Sequence, residues 1–241
     1  MRNRLKVFGA SVRGPGHTRL GLPNQDAFCA FARGQVGGVV LSDGLGSCAK
    51  SDIGAKTICR VTMEEMRLAF HDGTFDAAEF VGFVKTEYFD AIDAALYAEF
   101  SATCLWAVIP GDGLVHFGML GDGLVAVLTK SGEVRTLADD KADSFSNIVT
   151  SKSPAVGVED WRLGSIDETE FAAAVLCSDG ISDDLSDTAG FVKGFIGEFS
   201  SKRIPGPAIR KLLETWPVPH HVDDKTIVCM VRREGGSDER S

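Results

Sequence analysis

The chain alternates short apolar segments with turn residues, a pattern typical of β-strands joined by tight connections. Apolar residues recur at helical spacing in longer segments, for example at Ile58, Val61 and Met66. The predicted strands are residues 5–12, 27–32, 36–41, 102–109, 114–120, 124–129, 134–137, 161–166, 171–177 and 226–232. The predicted helices are residues 51–70, 76–99, 186–199 and 205–214. Residues 13–23, rich in glycine and proline, are predicted to be irregular, and residues 138–153 to form a polar loop or flap.

The order of these elements predicts an α+β fold in which sheet packs on sheet and helices cover the outside. The four strands between residues 102 and 137 follow one another through hairpin turns, so we expect an antiparallel meander in one sheet. The Phe-rich stripe of the second helix, which includes Phe80, Phe83 and Phe89, is expected in the core. No linker interrupts the pattern, so residues 1–233 are predicted to be one domain and residues 234–241 a disordered tail.

The composition excludes several classes of function. A net charge of -9, without a stripe of lysine and arginine, argues against a nucleic-acid partner. No apolar run approaches the roughly 18 residues of a membrane span, and the first residues lack the apolar region of a signal peptide. The six cysteines show no C-x-x-C spacing, which favours reduced thiols and a cytoplasmic protein over a zinc site.

Three apolar strands end on an Asp-Gly turn, at Asp43, Asp122 and Asp179. Any one such turn is ordinary, because Asp-Gly is a common turn dipeptide. Three copies, each after a small residue and each at the end of a strand, suggest that the carboxylates share one pocket. Carboxylates held so close together repel one another unless a cation or protons lie between them. The pattern therefore predicts a site for a hard divalent metal ion.

Further polar residues extend this candidate site. Asp26 begins one strand, and Asp223 and Asp224 precede another, so antiparallel neighbours could bring them to the same edge. Oxygen-rich sites suit Mg²⁺ or Mn²⁺, and such ions favour hydrolysis of a phosphate ester. His17 and Arg19 could bind a phosphate or lie in a solvated loop. The pair at residues 220–221 is a weaker metal candidate, because adjacent side chains on an extended chain point in opposite directions.

Six short motifs occur in order along nearly the whole chain. They are H-x-x-x-G-x-P-N-Q-D at residues 17–26, S-D-G-L-G-S at 42–47, S-A-T at 101–103, G-D-G at 121–123, S-D-G-I at 178–181 and D-D-K-T at 223–226. In this set the chain resembles the metal-dependent serine/threonine protein phosphatases of the PP2C type (PPM family), in their compact bacterial form. The resemblance implies a four-layer α-β-β-α sandwich with two mostly antiparallel sheets flanked by helices.

The resemblance also implies roles for individual residues. Asp43 would bridge two Mn²⁺ or Mg²⁺ ions, and the carbonyl of Gly44 would touch one of them. Asp179 and Asp223 would hold the other ion, which makes Asp43, Asp179 and Asp223 the catalytic set. Asp26, with Gln25, would lie near the metals mostly through water. Asp122 would correspond to the aspartate that helps to bind a third, looser ion.

The implied activity is hydrolysis of phosphoserine and phosphothreonine in proteins by a water activated between two metal ions. The implied partner is a phosphorylated protein, such as a serine/threonine kinase or its target, and we expect a cytoplasmic monomer that acts in signal transduction.

Four positions depart from the family pattern. Gln25 stands where glutamate is usual, Leu45 where some members have histidine, and Asp224 where asparagine is common. The usual phosphate-binding arginine falls on Gly21, so His17 or Arg19 becomes the candidate for that role. Gln25 and the missing arginine leave open an inactive or weakly active pseudophosphatase that acts as a binding module. The flap, and the absence of a recognisable substrate groove, leave open a phosphatase for a small phosphorylated molecule.

Overall fold

Ten strands and six helices account for most of the computed structural model, which describes residues 4–70, 75–93, 96–138, 157–218 and 221–233. The strands are β1 (Arg4–Val12), β2 (Ala27–Arg33), β3 (Val36–Ser42), β4 (Cys104–Ile109), β5 (Leu114–Leu120), β6 (Leu124–Thr129), β7 (Val134–Ala138), β8 (Arg162–Asp167), β9 (Phe171–Cys177) and β10 (Lys225–Arg233). The helices are α1 (Pro15–Leu20), α2 (Ser51–Ala69), α3 (Ala77–Ala91), α4 (Asp179–Ser182), α5 (Thr188–Phe199) and α6 (Gly206–Glu214). Short 3-10 turns lie at Tyr97–Phe100 and Val158–Asp160.

The strands form two five-stranded sheets, in the orders β1-β10-β9-β6-β7 and β2-β3-β4-β5-β8, with antiparallel neighbours throughout. Leu41, Leu105 and Leu176 are among the fully buried side chains that fill the space between the sheets. Helices α5 and α6 cover the outer face of the first sheet, and α2 and α3 cover that of the second. The predicted α+β, four-layer arrangement is confirmed.

The predicted single-sheet meander of residues 102–137 is wrong, because the chain changes sheets between β5 and β6. The change occurs at Gly121-Asp122-Gly123, where both glycines adopt positive φ, 93° and 105°. A Cβ atom on Gly123 would lie 2.8 Å from the carbonyl oxygen of Cys177, which leaves room only for glycine. The hairpins on either side, β4–β5 and β6–β7, are as predicted.

The expectation that residues 13–23 are irregular is also wrong, because they contain α1. Pro15 occupies the start of this helix, where its missing N–H costs nothing. Gly21 ends the helix in the left-handed conformation, with φ of 70°, and its N–H bonds to the carbonyls of His17 and Thr18. The glycines and prolines that suggested a loop therefore begin and end a short helix.

The second predicted helix is shorter than expected, since α3 ends at Ala91 and Ile92 is extended. Its buried residues are Phe80, Val81, Val84 and Tyr88, a stripe that Phe83 does not share. Phe83 is 52% exposed, so the expectation that it lies in the core is wrong. The sequence pattern also missed α4, a single turn directly after β9.

Two predicted features fall outside the described residues: most of the flap at 138–153, and the tail at 234–241. The assignment of residues 1–233 to one domain stays a prediction. Within the described residues, no helix has both the length and the apolar character that a bilayer crossing requires.

Two helical glycines provide a test of the packing between α2 and its surroundings. A Cβ atom on Gly54 would overlap the backbone oxygen of Phe100, whereas one on Gly82 in α3 would meet nothing within 4 Å. Gly54→Ala is therefore expected to lower the free energy of unfolding by roughly 2–3 kcal/mol through overpacking. Gly82→Ala is expected to raise it by about 0.5–1 kcal/mol. Urea denaturation measures both, and equal effects of the two substitutions would contradict the packing described here.

Candidate active site

The three Asp-Gly turns meet at one cleft. Asp43 follows β3, Asp122 lies between β5 and β6, Asp179 begins α4 after β9, and Asp223 precedes β10. The residues that line the cleft are His17, Gln25, Asp43, Gly44, Leu45, Gly46, Thr103, Asp122, Asp179, Asp223 and Asp224. Strand ends from both sheets contribute, because each chain reversal at this edge places its carboxylate toward the same opening.

Asp43 is held through its backbone by Thr103, the residue directly before β4. Its N–H donates to the Thr103 hydroxyl at 2.8 Å, and its carbonyl accepts from the Thr103 N–H at 2.8 Å. The next residue, Gly44, donates its N–H to the carbonyl of Gln25 at 3.1 Å. A Cβ atom on Gly44 would lie 2.7 Å from the carbonyl oxygen of Ser51, so the chain can pass here only as glycine. These contacts fix the position of the Asp43 carboxylate.

Asp26 lies buried at the start of β2. Its Oδ2 accepts a hydrogen bond from the Ser178 hydroxyl at 2.9 Å, and that hydroxyl accepts from the Thr226 N–H at 3.1 Å. Its Oδ1 has no hydrogen-bond partner among the described residues. Ser178, the small residue before the third Asp-Gly turn, therefore orients the carboxylate of Asp26, which belongs to the other sheet.

Asp224 joins three parts of the site. Its Oδ1 accepts from the Gly14 N–H at 2.6 Å, and its Oδ2 accepts from the Gln25 N–H at 2.6 Å. The same Oδ2 lies 2.9 Å from Nδ1 of His17. The carboxylate is 4% exposed, so these partners replace its water. Asp224 thereby connects β10 to the first residues of α1 and to the segment that carries Asp26.

The carboxylates raise one another's pKa. Burial, followed by the charges of Asp26 and Asp179, raises the pKa of Asp43 well above its ordinary value. Burial raises the pKa of Asp26 to about 7, although hydrogen bonds from Thr226 and Ser178 oppose the shift. Burial and the charge of Asp223 raise the pKa of Asp179. Asp43 and Asp179 are close enough to share a hydrogen bond. Without a cation the cluster therefore holds protons that water-exposed aspartates would have lost.

The residues present suit a hard divalent ion. Asp26 Oδ1 and Gln25 Oε1 are both buried oxygens without a partner among the described residues, as expected where a cation or its waters are needed. In the described residues, however, no three side chains of histidine, cysteine, aspartate or glutamate are already arranged around one point as a metal site. The side-chain oxygens thus converge on the cleft, and a backbone carbonyl and water would have to complete any coordination shell.

The other candidates differ in their placement. His17 lines the cleft, whereas Arg19 is exposed on α1 and does not line it. Nδ1 of His221 lies 2.9 Å from Asp184, so this side chain has a structural partner away from the cleft lining. His220 is outside the described residues.

Sequence reasoning overlooked the roles of Thr103, Ser178 and Asp224 in holding the site together. Thr103 and Ser178 lie within the short motifs, and Asp224 follows Asp223 in its own motif. Their positions were therefore visible in the sequence, but their hydrogen-bond partners lie far away along the chain and were not.

The raised pKa of Asp26 predicts how pH affects the metal-free protein. Because its folded-state pKa, about 7, exceeds its ordinary value of 3.8, the folded state binds more protons than the unfolded state in that interval. The free energy of unfolding should therefore fall by roughly 1–3 kcal/mol as pH rises from about 4 to about 7. Urea denaturation with a chelator measures this, and Asp26→Asn should make the profile less steep, while the raised pKa values of Asp43 and Asp179 account for the remaining dependence. An unchanged profile in that variant would contradict the assignment.

Comparison with known proteins agrees with this architecture. The sequence profile described as protein phosphatase 2C matches residues 13–215. A search of curated protein sequences finds no match. Among solved structures, the serine/threonine phosphatase Stp1 from Staphylococcus aureus has a TM-score of 0.67 at 15% identity, over 96% of this chain and 96% of that chain.

Two further similar structures are complexes with metal ions. The catalytic domain of the phosphatase PstP, in complex with 2 manganese ions, has a TM-score of 0.64 at 17% identity over 96% of this chain and 100% of that chain. RsbX in complex with magnesium has a TM-score of 0.62 at 14% identity over 95% of this chain and 96% of that chain. At these identities the structures establish the shared fold, and the profile match establishes the family. The chain belongs to the protein phosphatase 2C family, a family of protein-serine/threonine phosphatases.

Proposed function

We propose that this protein hydrolyses phosphoserine and phosphothreonine in proteins with the help of two Mn²⁺ or Mg²⁺ ions, and of a third, more loosely bound ion, at the acidic cleft. The observation that carries the proposal is that five aspartates line this one opening. Among the described residues that line it there is no lysine or arginine. A phosphate group could enter such a cleft only if cations neutralised the carboxylates.

The carboxylates have distinct tasks in this proposal. Asp43, fixed by Thr103, would hold both ions, Asp179 and Asp223 would hold one of them, and the carbonyl of Gly44 would contact the other. Asp26 would accept hydrogen bonds from their waters, and Asp122 would help to bind the third ion. When bound, such ions lower the pKa of coordinated water and stabilise negative charge on a transferring phosphoryl group.

His17 is the residue that we expect to contact the substrate phosphate. It is the one basic side chain among the described residues of the cleft lining, and Asp224 orients its ring through Nδ1. A hydrogen bond from Nδ1 to a carboxylate leaves Nε2 for a ligand.

His17→Ala should therefore lower kcat/KM for a phosphopeptide by about tenfold or more, a loss typical of a charge-assisted hydrogen bond. Arg19→Ala, which changes an exposed residue of the same helix, should leave kcat/KM unchanged. Steady-state kinetics decides between these two candidates, and a loss on Arg19→Ala alone would reverse the assignment.

The proposed activity can be tested by release of inorganic phosphate from a phosphothreonine peptide. We expect release with Mn²⁺ or Mg²⁺ and none with a chelator. A small aromatic phosphate ester, assayed in parallel, distinguishes a protein phosphatase from an enzyme for small molecules. Faster turnover of the small ester under saturating conditions, with little action on the peptide, would overturn the substrate class but leave the metal site intact.

A second candidate function is that of a pseudophosphatase that binds a partner without turnover. The observation that favours it is Gln25, a neutral side chain where the family usually has glutamate, which removes one negative charge from the cleft. This alternative predicts that the wild-type protein binds metal but releases no phosphate from any phosphopeptide tested. It also predicts that Gln25→Glu restores release under the same conditions.

A further inference from the structure

Two thiols meet between β2 and α2, away from the cleft lining. Cys29 lies on β2 and is half-buried, and Cys59 lies on α2 and is 1% exposed. Cys59 donates a hydrogen bond to the carbonyl of Ala27 at 3.4 Å, which holds its sulfur over β2. Its thiol is also next to that of Cys29, and each of the two thiols shifts the pKa of the other. The two sulfurs are therefore neighbours, although 29 and 59 are far apart along the chain.

The surroundings of Cys29 favour its thiolate. The neighbouring Cys59 side chain, and then the guanidinium of Arg67, lower the pKa of Cys29 to about 7, against burial and the charge of Glu64. Arg67 is held above the ring of Phe31 on the same strand, with 5.2 Å between its guanidinium carbon and the ring centroid. A half-buried thiolate beside a cation is the arrangement of a reactive cysteine.

The other buried cysteines lack this setting. Burial raises the pKa of Cys104 to about 12, and Cys104 contacts Thr62 at 3.6 Å. Burial also raises the pKa of Cys177 and of Cys229. Cys59, buried and protonated, fits the role of a resolving thiol that lies next to the reactive one.

We propose that Cys29 and Cys59 form a site of reversible oxidation by hydrogen peroxide or an organic hydroperoxide, which ends in a disulfide between β2 and α2. The Cys29 sulfur attacks the peroxide oxygen, the O–O bond breaks, and water or an alcohol leaves with a proton. The Cys59 sulfur then attacks the sulfenic acid of Cys29, the S–S bond forms, and a second water leaves. Two thiols are oxidised and one peroxide is reduced, so no further reactant is needed.

The test is peptide mapping of the full-length wild-type protein after brief treatment with hydrogen peroxide. Free thiols are alkylated first, and trypsin then places Cys29 in residues 20–33 and Cys59 in residues 57–60. We expect these two peptides to appear as one disulfide-linked species that dithiothreitol separates. In Cys59→Ser, dimedone should label Cys29 as a sulfenic acid, whereas Cys48→Ser should leave the linked species unchanged.

Two outcomes would overturn the proposal. One is the absence of the linked species from the wild-type protein when other thiols are already oxidised. The other is pairing of Cys29 with several cysteines without preference for Cys59. Because the mapping uses the wild-type chain, neither outcome depends on whether a variant folds.

Discussion

Asp43→Asn is expected to lower kcat/KM for a phosphopeptide by more than about 100-fold at saturating Mn²⁺, because loss of even an outer partner of a metal ligand costs 10–100-fold. The charges of Asp26, Asp179 and Asp122 all act on Asp43, so a substitution at Asp43 affects the whole cluster of carboxylates. The measurement is steady-state release of phosphate, with metal concentration varied for wild type and variant.

The same variant should not be less stable than the wild type without metal. Asp43 is repelled by its acidic neighbours, and asparagine removes that repulsion while keeping the side-chain shape. Asp90→Asn on the exposed face of α3 is the matched control, with the same chemical change far from the cluster. Full activity in Asp43→Asn, or loss of activity caused by unfolding, would count against the proposed role.

Asp224→Ala is expected to lower the free energy of unfolding by roughly 3–5 kcal/mol, the cost of leaving buried hydrogen-bonding groups unpaired. The carboxylate accepts from the backbone of Gly14 and of Gln25 and contacts His17, and none of these contacts is replaced by alanine. Asp224→Asn retains one acceptor oxygen and should cost less. Urea denaturation reports the stability of each variant, and kcat/KM reports whether His17 is still correctly oriented.

The adjacent residue is a matched control. Asp223 is exposed at the cleft and lines it, so Asp223→Ala should remove activity with little change in the free energy of unfolding. Comparison of the two variants should therefore distinguish the proposed metal ligand, Asp223, from the residue that holds the site together, Asp224. Equal losses of stability in both variants would show that this distinction is wrong.

The parts of the site that the sequence predicted are those with a local signature. Asp43, Asp122 and Asp179 each follow an apolar strand and precede glycine, and that pattern is set by burial and turn geometry within a few residues. The same local rules predicted most strands to within about two residues. The two-sheet arrangement followed, because amphipathic helices and buried strands leave few ways to cover both faces.

The parts that it missed depend on contacts that distant residues make. The turn at residues 121–123 has the composition of a hairpin, and only packing against Cys177 reveals that the chain changes sheets there. The acceptors on Asp224 serve donors that lie about two hundred positions away in the chain. Phe83 has the hydrophobicity of a core residue but lies off the buried stripe of its helix. The composition of a segment and the spacing of its residues do not reveal contacts and burial of this kind.

Isothermal titration calorimetry with Mn²⁺ tests the central claim most directly, because the account rests on carboxylates that need a cation between them. The wild-type protein should bind Mn²⁺ with release of protons, which is detected as a dependence of the heat on the ionisation enthalpy of the buffer. Asp43→Asn should lose most of this binding, and Asp90→Asn none. If the wild-type protein shows no binding at millimolar Mn²⁺, the cleft is not a metal centre and the account is contradicted.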